Sequence, residues 1–480
     1  MVYLLIVFPL VVAAATFAVT SNRWRPFLLP VGGLGHLALV LYAVFGTTAP
    51  VHGPEEWLLL DPLGKVILLV QSSLFFLCSL YAPAYLSIRS DRPNRVFCAN
   101  LLTMQAMMTL VSLSHHLGLM WVGMEATTLV TAPLLYFNHN PRSLEATWKY
   151  LLIGSVGIAL ALLGSFFLAY SGLKAGLEST LHFDQLIDHA SELSPPWLHA
   201  AFVLLFVGYG TKMGLAPMHT WKPDAYGEAP GIVGTLLAGG LTSCAFLAVL
   251  RIYQICQASS VAEAAFAREI MIFMGLFSMA FAAVFMVRQR DFKRMLAYSS
   301  VEHMGILVIG IGIGGNAIYG ALLHLVNNAL TKGVLFLSAG NIHRVYGSKV
   351  TDDVRGALQR MPLSAGLFLA GFLAITGSPP FGPFVSEFTI VTATFASGEF
   401  VVGGIFLVLL GIVFIGMGAT VLQVVQGNAP DHVPKDLNDT FATCAPVLLC
   451  MGLVLLLGLY IPPPLELLLR EAAAFLEGQR

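Results

Sequence analysis

Runs of about 20 mostly apolar residues recur along this chain of 480 residues, and short polar loops separate them. These runs begin near residues 1, 28, 64, 97, 116, 148, 199, 231, 266, 295, 316, 363, 400 and 441. A helix of that length spans a bilayer and satisfies its own backbone hydrogen bonds, which lipid cannot do. The sequence therefore predicts an all-α membrane protein with about 14 transmembrane helices. The first run has no positively charged region before it, so we expect a retained helix rather than a removable signal.

The composition excludes several classes of protein. Only 11% of the residues are charged and 57% are hydrophobic, whereas a soluble domain has about 25% charged residues. With a formal net charge of -1, the chain lacks the basic field that nucleic-acid binding requires. The six cysteines form no C-x-x-C pair, and no Walker or dinucleotide-binding motif is present. We therefore expect no metal and no cofactor in this chain.

The distribution of Lys and Arg among the loops predicts the orientation in the membrane. The odd-numbered loops hold about 17 of these residues and the even-numbered side about 6, with two intramembrane lysines left out. The odd-loop residues are Arg23, Arg25, Arg89, Arg92, Arg95, Arg142, Lys149, Lys222, Arg288, Arg290, Lys293, Arg294, Arg344, Lys349, Arg355, Arg360 and Lys435. Because cytoplasmic loops carry the positive excess, the odd loops are predicted to be cytoplasmic and both termini to lie outside, on the periplasmic side.

Two of the predicted helices contain breaks. Pro217 interrupts the seventh helix, and Pro379 and Pro380 interrupt the twelfth. Irregular backbone at membrane depth is tolerated only against protein or a wet cavity, and paired broken helices indicate inverted repeats around an ion site. We therefore predict two inverted five-helix repeats, 97–253 and 266–424, which form a core preceded by helices 1–3 (1–96) and followed by the last helix and tail (425–480).

The loop at about 171–198 carries several polar residues among apolar ones, and it predicts a short amphipathic helix on the outer surface. These residues are His182, Asp184, Asp188, His189 and Glu192. A metal site is an alternative, but a solvated polar face is favoured.

Lys212, Lys332 and Glu125 stand inside apolar stretches. A charge at membrane depth costs about 2.5–3.5 kcal/mol even on the lenient insertion scale, so it indicates a function such as ion translocation. For Lys212 the alternative is a lysine that snorkels to the interface. Glu125 is the natural partner anion, and the alternative is a static structural ion pair.

His324, Asn328 and Lys332 follow one another at steps of four, which places them along one helix face. The two ends of this stripe are about 12 Å apart along the helix axis. Since that distance is too long for direct proton transfer, Asn328 is predicted to help hold water between them. A hydrogen-bonded packing histidine is the alternative for His324.

Five further residues are candidates for the proton path, and alternative interpretations exist for most of them. Glu387 follows the second break and is either an exit carboxylate or an interfacial helix-end residue. Glu302 and His303 form either an entry relay or, as we slightly favour, the polar residues of a cytoplasmic mouth. His219 is a possible relay residue beside the first break. Lys149 is a possible relay residue too, although a surface salt bridge with Glu145 is the simpler interpretation.

Two motifs resemble those of the antiporter-like proton-pumping subunits of respiratory complex I, Mrp antiporters and membrane-bound hydrogenases. Residues 208–230, GYGTKMGLAPMHTWKPDAYGEAP, resemble the seventh-helix signature, and residues 291–300, DFKRMLAYSS, resemble the tenth-helix signature. Within that family, residues 301–305 (VEHMG) and 145–150 (EATWKY) are most similar to the hydrogenase-4 component F group.

The resemblance implies roles for individual residues. Glu125 matches the fifth-helix glutamate and Lys212 the seventh-helix lysine, while His324 and Lys332 match eleventh-helix positions and Glu387 matches a twelfth-helix glutamate. There are two departures from the family pattern. The eighth-helix position, often lysine, is Thr242 or Ser243 here, and the second eleventh-helix histidine is Asn328. Both departures leave the central relay more dependent on water.

The resemblance further implies a non-catalytic subunit that moves protons across a bacterial inner membrane inside a multisubunit oxidoreductase, with redox centres in partner subunits. Protons would enter from the cytoplasm, load Lys212 and then Lys332 through His324 and water, and leave beside Glu387. An Mrp-type sodium/proton antiporter subunit is one alternative. A scaffold subunit of an inorganic-carbon uptake complex is another.

Overall fold

The computed structural model describes residues 1–46, 57–178, 180–430, 433–434 and 438–478, and this part of the chain is helical throughout, with no strand. Its α-helices, in chain order, are α1 (Val2–Ala18), α2 (Leu28–Phe45), α3 (Pro62–Ile88), α4 (Arg95–Leu113), α5 (Leu117–Leu135), α6 (Pro141–Lys174), α7 (Phe183–Asp188), α8 (Pro195–Met213), α9 (Trp221–Glu228), α10 (Gly231–Thr235), α11 (Thr242–Ser259), α12 (Val261–Met286), α13 (Phe292–Ile313), α14 (Asn316–Tyr346), α15 (Ala357–Arg360), α16 (Pro362–Ile375), α17 (Gly382–Ala396), α18 (Phe400–Val425), α19 (Phe441–Leu459) and α20 (Pro463–Leu476). Shorter helical turns cover Arg25–Phe27, Tyr136–Asn138, Ala190–Glu192 and the π-helical Leu236–Leu241.

Eleven helical segments in the described residues are long and apolar enough to cross a membrane. The prediction of a membrane-embedded all-α protein is therefore confirmed. The helices begin within a few residues of the predicted positions except α6, which starts at Pro141 rather than near residue 148. The reason is a capping box: Asn140 accepts from the Ser143 amide, Ser143 bonds back, and Pro141 occupies the first turn.

Helices of different burial form an inner and an outer set. The inner set, α13, α14 and the segment Gly231–Ser259, is buried along nearly its whole length. The outer helices, such as α6 and α18, expose large apolar side chains, among them Leu152 and Ile415. Because these side chains face outward from a membrane-embedded protein, they meet lipid or neighbouring subunits rather than a water interface. The charged residues considered below lie on or beside the inner set.

Glycines let neighbouring helices approach closely. A Cβ atom on Gly157 of α6 would lie 3.0 Å from the Gly208 carbonyl oxygen of α8, and one on Gly208 would lie 2.6 Å from the Ala161 amide nitrogen. Gly275 of α12 and Gly305 of α13 make a similar pair, with distances of 2.8 and 2.6 Å to each other's carbonyl oxygens. In lipid the hydrophobic effect does not drive helices together, and close van der Waals packing at small residues takes its place.

Both predicted helix breaks are present. After α8, Gly214 adopts a φ of +85°, and the Ala216 amide donates to the Ser278 hydroxyl at 3.0 Å. Pro217 lies in this break, and the Trp221 indole reaches back to the Thr211 carbonyl at 2.9 Å. These bonds satisfy backbone groups that the break would leave without partners at membrane depth.

The second break separates α16 from α17 and contains Pro379 and Pro380. Asn327 of α14 donates its side-chain amide to the Gly382 carbonyl at 2.9 Å, at the first residue after the break. The π-helical turn between α10 and α11 has no signal in the sequence pattern. It lies just before Thr242, and such turns are frequent at functional sites.

The short helix predicted in the loop at about 171–198 is also present, as α7. Phe183 and Leu186 are buried, the last three polar residues of the segment are exposed, and His182 and Asp184 are half-buried. His116 and His182 form an isolated bridge that attaches the segment to the start of α5. Lys435, predicted in a cytoplasmic loop, lies outside the described residues.

Candidate proton path

The ammonium group of Lys212 lies in the last turn of α8 and is completely buried. It donates a hydrogen bond to the Thr128 hydroxyl of α5 and lies 5.3 Å from the centre of the Tyr150 ring. A snorkelling lysine would reach water, so that interpretation is wrong. A Cβ atom on Gly154 would lie 2.7 Å from the Lys212 nitrogen, so the absence of a side chain at Gly154 makes room for the ammonium.

Glu125 lies one helical turn before Thr128 on α5, and it is half-buried. Its carboxylate accepts from the exposed Ser155 hydroxyl of α6 at 3.0 Å and lies 3.4 Å from the Thr128 hydroxyl, which has the Met124 carbonyl as a second acceptor at 3.2 Å. The structure therefore brings Glu125 and Lys212 together, but through the Thr128 hydroxyl rather than by direct contact. Because Ser155 is exposed, this carboxylate also lies next to the exposed surface of the protein.

Lys332 of α14 is completely buried and donates to the Ser299 hydroxyl of α13 at 2.8 Å and to the Leu296 carbonyl at 3.5 Å. Glu302 lies one turn after Ser299 on the same helix and is also buried. Each predicted lysine therefore bonds to one hydroxyl group, and each hydroxyl lies one turn from a carboxylate.

Two histidines, a serine and two glutamates form a buried group next to Lys332. His303 Nδ1 and His324 Nε2 are 2.9 Å apart, and His324 Nδ1 is 3.0 Å from the Ser386 hydroxyl of α17. Carboxylate oxygens of Glu387 and Glu302 lie 4.0 and 3.9 Å from the two ring nitrogens of His303. Adjacent titratable groups at these distances can pass a proton directly or through one water.

This placement changes two interpretations. Glu302 and His303 are 2% and 0% exposed, so they are not polar residues of a cytoplasmic mouth. Glu387 lies in the second turn of α17 and is 4% exposed, so it is not an interfacial helix-end residue.

His303, His324 and Glu387 also have the arrangement that a metal ion could use, since their ligand atoms lie within 4.8 Å of one another. Both ring nitrogens of His324 already take part in hydrogen bonds. A metal would displace one of these bonds, so the observed geometry favours proton exchange.

Lys222 is the residue that sequence reasoning missed. The loop count places it in a cytoplasmic loop, but it is completely buried in α9, and its nitrogen has no hydrogen-bond partner in the described residues. The ammonium lies 5.6 Å from the centre of the Tyr226 ring. The available signal is its position in the seventh-helix motif, one residue before Pro223 and just after the break.

A row of aromatic rings runs from the side of the site that holds Lys212, past Lys222, to the side that holds Lys332. Ring centroids of Tyr150 and Trp221 are 5.1 Å apart, and those of Trp221 and Tyr226 are 5.9 Å apart. Tyr226 in turn lies 5.5 Å from Phe336, one turn from Lys332 on α14. Lys222 therefore lies between Lys212 and Lys332.

Several buried polar atoms along this row have no partner in the described residues. They are the hydroxyls of Tyr150, Tyr226 and Thr235 and the side-chain carbonyl oxygens of Asn327 and Asn328. Buried polar groups are nearly always hydrogen-bonded, so each of these atoms indicates a site for an ordered water. Asn328 thus suits the predicted water between His324 and Lys332.

The remaining candidates lie elsewhere or are already occupied. The Thr242 hydroxyl donates back to the Ala238 carbonyl at 2.6 Å, so it is not free for a relay. His219 is buried at the first break between the Phe281 and Tyr298 rings. Lys149 is partly exposed and binds Glu145 and Asp224, each at 2.7 Å, which is the predicted surface salt bridge extended by one acid.

A buried ion pair with no signal in the sequence pattern lies away from this row. Arg251 of α11 binds Asp61 at 2.8 Å and also donates to the carbonyls of Ser112 and Ser114. Asp61 caps α3 at the Gly64 amide. Since the guanidinium joins α3, α4 and α11 and is held by these fixed groups, its role is structural.

Comparison with known proteins shows the same fold and a family match. The family described as "NADH:quinone oxidoreductase/Mrp antiporter, TM" matches residues 114–415. A "Hydrogenase-4 component F homolog" from Methylacidiphilum infernorum is 33% identical over 85% of this chain and 87% of its own length. A chain of an archaeal membrane-bound sulfane sulfur reductase has a TM-score of 0.87 at 21% identity, covering 98% of this chain and 97% of that one. A chain of the Mrp complex from Dietzia sp. DQ12-45-1b has a TM-score of 0.85 at 20% identity, covering 99% and 97%.

Proposed function

This chain belongs to the NADH:quinone oxidoreductase/Mrp antiporter family of transmembrane proteins, and we propose that it moves protons across the bacterial inner membrane inside a multisubunit redox complex of the hydrogenase-4 and complex I type. The observation that carries this proposal is the row of ionisable groups from the half-buried Glu125 to the buried Glu387, with buried lysines at Lys212, Lys222 and Lys332. Isolated buried charges are costly in a membrane, and a proton path is the use that fits groups of both signs. Redox chemistry then belongs to partner subunits, and this chain is the non-catalytic proton-conducting part.

The proposed path has two segments joined by water. A proton from the cytoplasm loads Lys212, moves along Tyr150 and Tyr226 to Lys222, and reaches Lys332. From there water at Asn328 and the histidine pair pass it to Glu387, which releases it on the outer side. The unpartnered hydroxyls along this row support ordered water at the points where side chains do not touch.

Coupling to a partner is proposed to act at Glu125. Its carboxylate bonds to the exposed Ser155, so a neighbouring subunit can shift it without entering the core. Moving Glu125 toward or away from Thr128 changes the field at Lys212 and therefore its hold on the proton. Transport of one charge against 100 mV takes about 2.3 kcal/mol, which the redox partner must supply through this shift.

The same proposal includes the finer architecture. The two broken helices, α8 with α9 and α16 with α17, together with the short apolar α1, complete a set of 14 spans. The helices α4, α5, α6 and α8 contact one another in series, and α12, α13, α14 and α17 do the same. That parallel supports two inverted repeats within 97–424. The Lys and Arg excess in the odd-numbered loops supports both termini on the periplasmic side.

The decisive experiment measures proton translocation by the purified complex in proteoliposomes, with redox turnover driven by its own substrate. Lys212→Ala should abolish acidification while the complex still assembles. Lys174→Ala is the matched control, because Lys174 is an exposed lysine at the far end of α6. Pumping at the wild-type level in Lys212→Ala would contradict the mechanism.

Two alternatives are separated by the same preparation. A sodium/proton antiporter would show a sodium-dependent pH change without redox substrate, and the similarity to the Dietzia Mrp chain makes this arm necessary. A non-conducting scaffold would show no pH change under either condition. The retained Lys212, Lys332 and Glu387 in one buried row favour conduction over a scaffold.

A further inference from the structure

A cavity of about 1010 Å³ lies between the α1–α2 connection, the end of α3 and the start of α19, away from the proton path. That volume is at the upper end of the range of about 300–1,000 Å³ for small-molecule sites. Its walls are mainly apolar, and Phe27 and Ile88 on its wall are 52% and 40% exposed. The cavity is therefore an open groove between helices, with apolar walls.

The polar side chains of the groove gather at one end. Arg23 and Arg92 lie there, at the loops that join α1 to α2 and α3 to α4. Arg23 is exposed, and its one described contact is with the neighbouring Trp24 ring, at 5.9 Å. Trp24 is itself 65% exposed, as is typical of an aromatic side chain at the membrane–water interface. This end is cytoplasmic in the orientation proposed above.

The loop that carries Arg23 is anchored by the next but one residue, Arg25, which lies behind the groove. Arg25 is 1% exposed and donates to the Thr16 carbonyl at 2.9 Å and to the Asn94 side chain at 2.5 Å. It thereby ties the end of α1 to the start of α4, and the Asn94 oxygen is used for this contact instead of capping its helix. Pro83, which also lines the groove, interrupts the hydrogen-bond ladder of α3. The Arg25 contacts fix the loop beside the groove relative to α1 and α4.

From this arrangement we infer that the groove binds an anionic phospholipid of the cytoplasmic leaflet, with its phosphate at Arg23 and Arg92 and its acyl chain along Leu80 and Phe27. The ligand must be amphiphilic because the cations lie at one end and the apolar walls at the other. Arg92 already shares its guanidinium with Asp91 at 3.2 Å, so Arg23 is the main determinant of headgroup charge. Basic pockets between membrane helices on the cytoplasmic side are suited to anionic headgroups.

Native mass spectrometry of the purified full-length chain tests this inference, with phosphatidylglycerol and phosphatidylethanolamine titrated in parallel. Wild type should retain phosphatidylglycerol preferentially. Arg23→Ala should weaken that retention about fivefold, and Arg23→Lys should largely restore it. Arg142→Ala is the matched control, because it removes an exposed arginine from the same side of the protein but outside the groove. Equal retention of the two lipids, or an equal loss in Arg142→Ala, would overturn the inference.

A second measurement identifies the occupant in native membranes. A photoreactive benzoylphenylalanine at Leu80, inside the groove, should form an adduct with phospholipid. A cross-link to another protein chain would mean that a partner helix fills the groove, and the lipid site would then be rejected. The choice of leaflet rests on the orientation given under the proposed function, but neither measurement depends on proton translocation, so the lipid site and the proton path can fail separately.

Discussion

The two halves of the proton path use the same motif in different surroundings. In the first half Lys212 bonds to Thr128, one turn from Glu125, and in the second half Lys332 bonds to Ser299, one turn from Glu302. In both, the ammonium donates to a hydroxyl that lies one helical turn from a carboxylate, and in the first half that hydroxyl also contacts the carboxylate. A direct buried ion pair would hold its proton tightly, whereas a hydroxyl link leaves the charge responsive to small movements.

The difference between the halves lies in their access to the surface. Glu125 is half-buried and bonds to the exposed Ser155, whereas Glu302 is 2% exposed and faces a closed group of histidines. The first half is therefore the place where an external event can act on the charges. The second half is insulated and relays what the first half delivers.

Among the variants that compare the two halves, the largest effect is expected from removing Lys222, which lies between them. Lys222→Leu should lower proton translocation about a hundredfold, because it removes the buried ammonium that lies on the aromatic row between Lys212 and Lys332. The same change should leave thermal stability unchanged or raise it, since it replaces an unpartnered buried charge by an apolar side chain.

Translocation in proteoliposomes and the melting temperature of the complex measure the two expectations for Lys222→Leu. A merely structural lysine would give the opposite pattern, with lower stability and normal transport per assembled complex. The conservative Lys222→Arg, which keeps a positive charge at this position, is the companion variant.

A smaller effect is expected from removing the Thr128 hydroxyl in the first half. Thr128→Val keeps the shape of the side chain but removes the link between Lys212 and Glu125. We expect about a tenfold loss of redox-coupled pumping, since a hydrogen bond to a charged group contributes about 1.5–3 kcal/mol. Thr128→Ser retains the hydroxyl and should pump at nearly the wild-type rate, and equal losses in the two variants would refute the link.

The smallest effect is expected in the second half. Ser299→Ala removes the 2.8 Å bond to Lys332, but the Leu296 carbonyl remains at 3.5 Å as a second acceptor. Pumping rates should therefore fall only about threefold. Ser338→Ala on α14 is the control, because that hydroxyl bonds to a carbonyl of its own helix. A loss as large as that of Thr128→Val would show that the two halves are not different in the way described.

Sequence reasoning succeeded where the signal is local. The helix starts other than that of α6, both proline breaks, the short helix α7 and the buried candidates Lys212, Lys332 and Glu387 follow from apolar length, proline and charge at depth. The sequence pattern did not reveal the burial of Lys222, because a lysine beside a proline is typical of a loop. It also favoured the wrong environment for Glu302 and His303, since their distance along the chain from the basic loop does not reveal their depth in the packed bundle.

The amino-acid sequence alone determined that this chain is a bundle of membrane helices with charges inside it, because length, hydrophobicity and proline act on each segment separately. Only the tertiary structure decided which groups meet. His303 and His324 come from different helices, Thr128 separates Lys212 from Glu125, and Lys222 turns inward. Those contacts depend on close approaches at glycines such as Gly154 and on the direction the chain takes after a break. Such geometry is a property of the packed helices and is not encoded in any one of them.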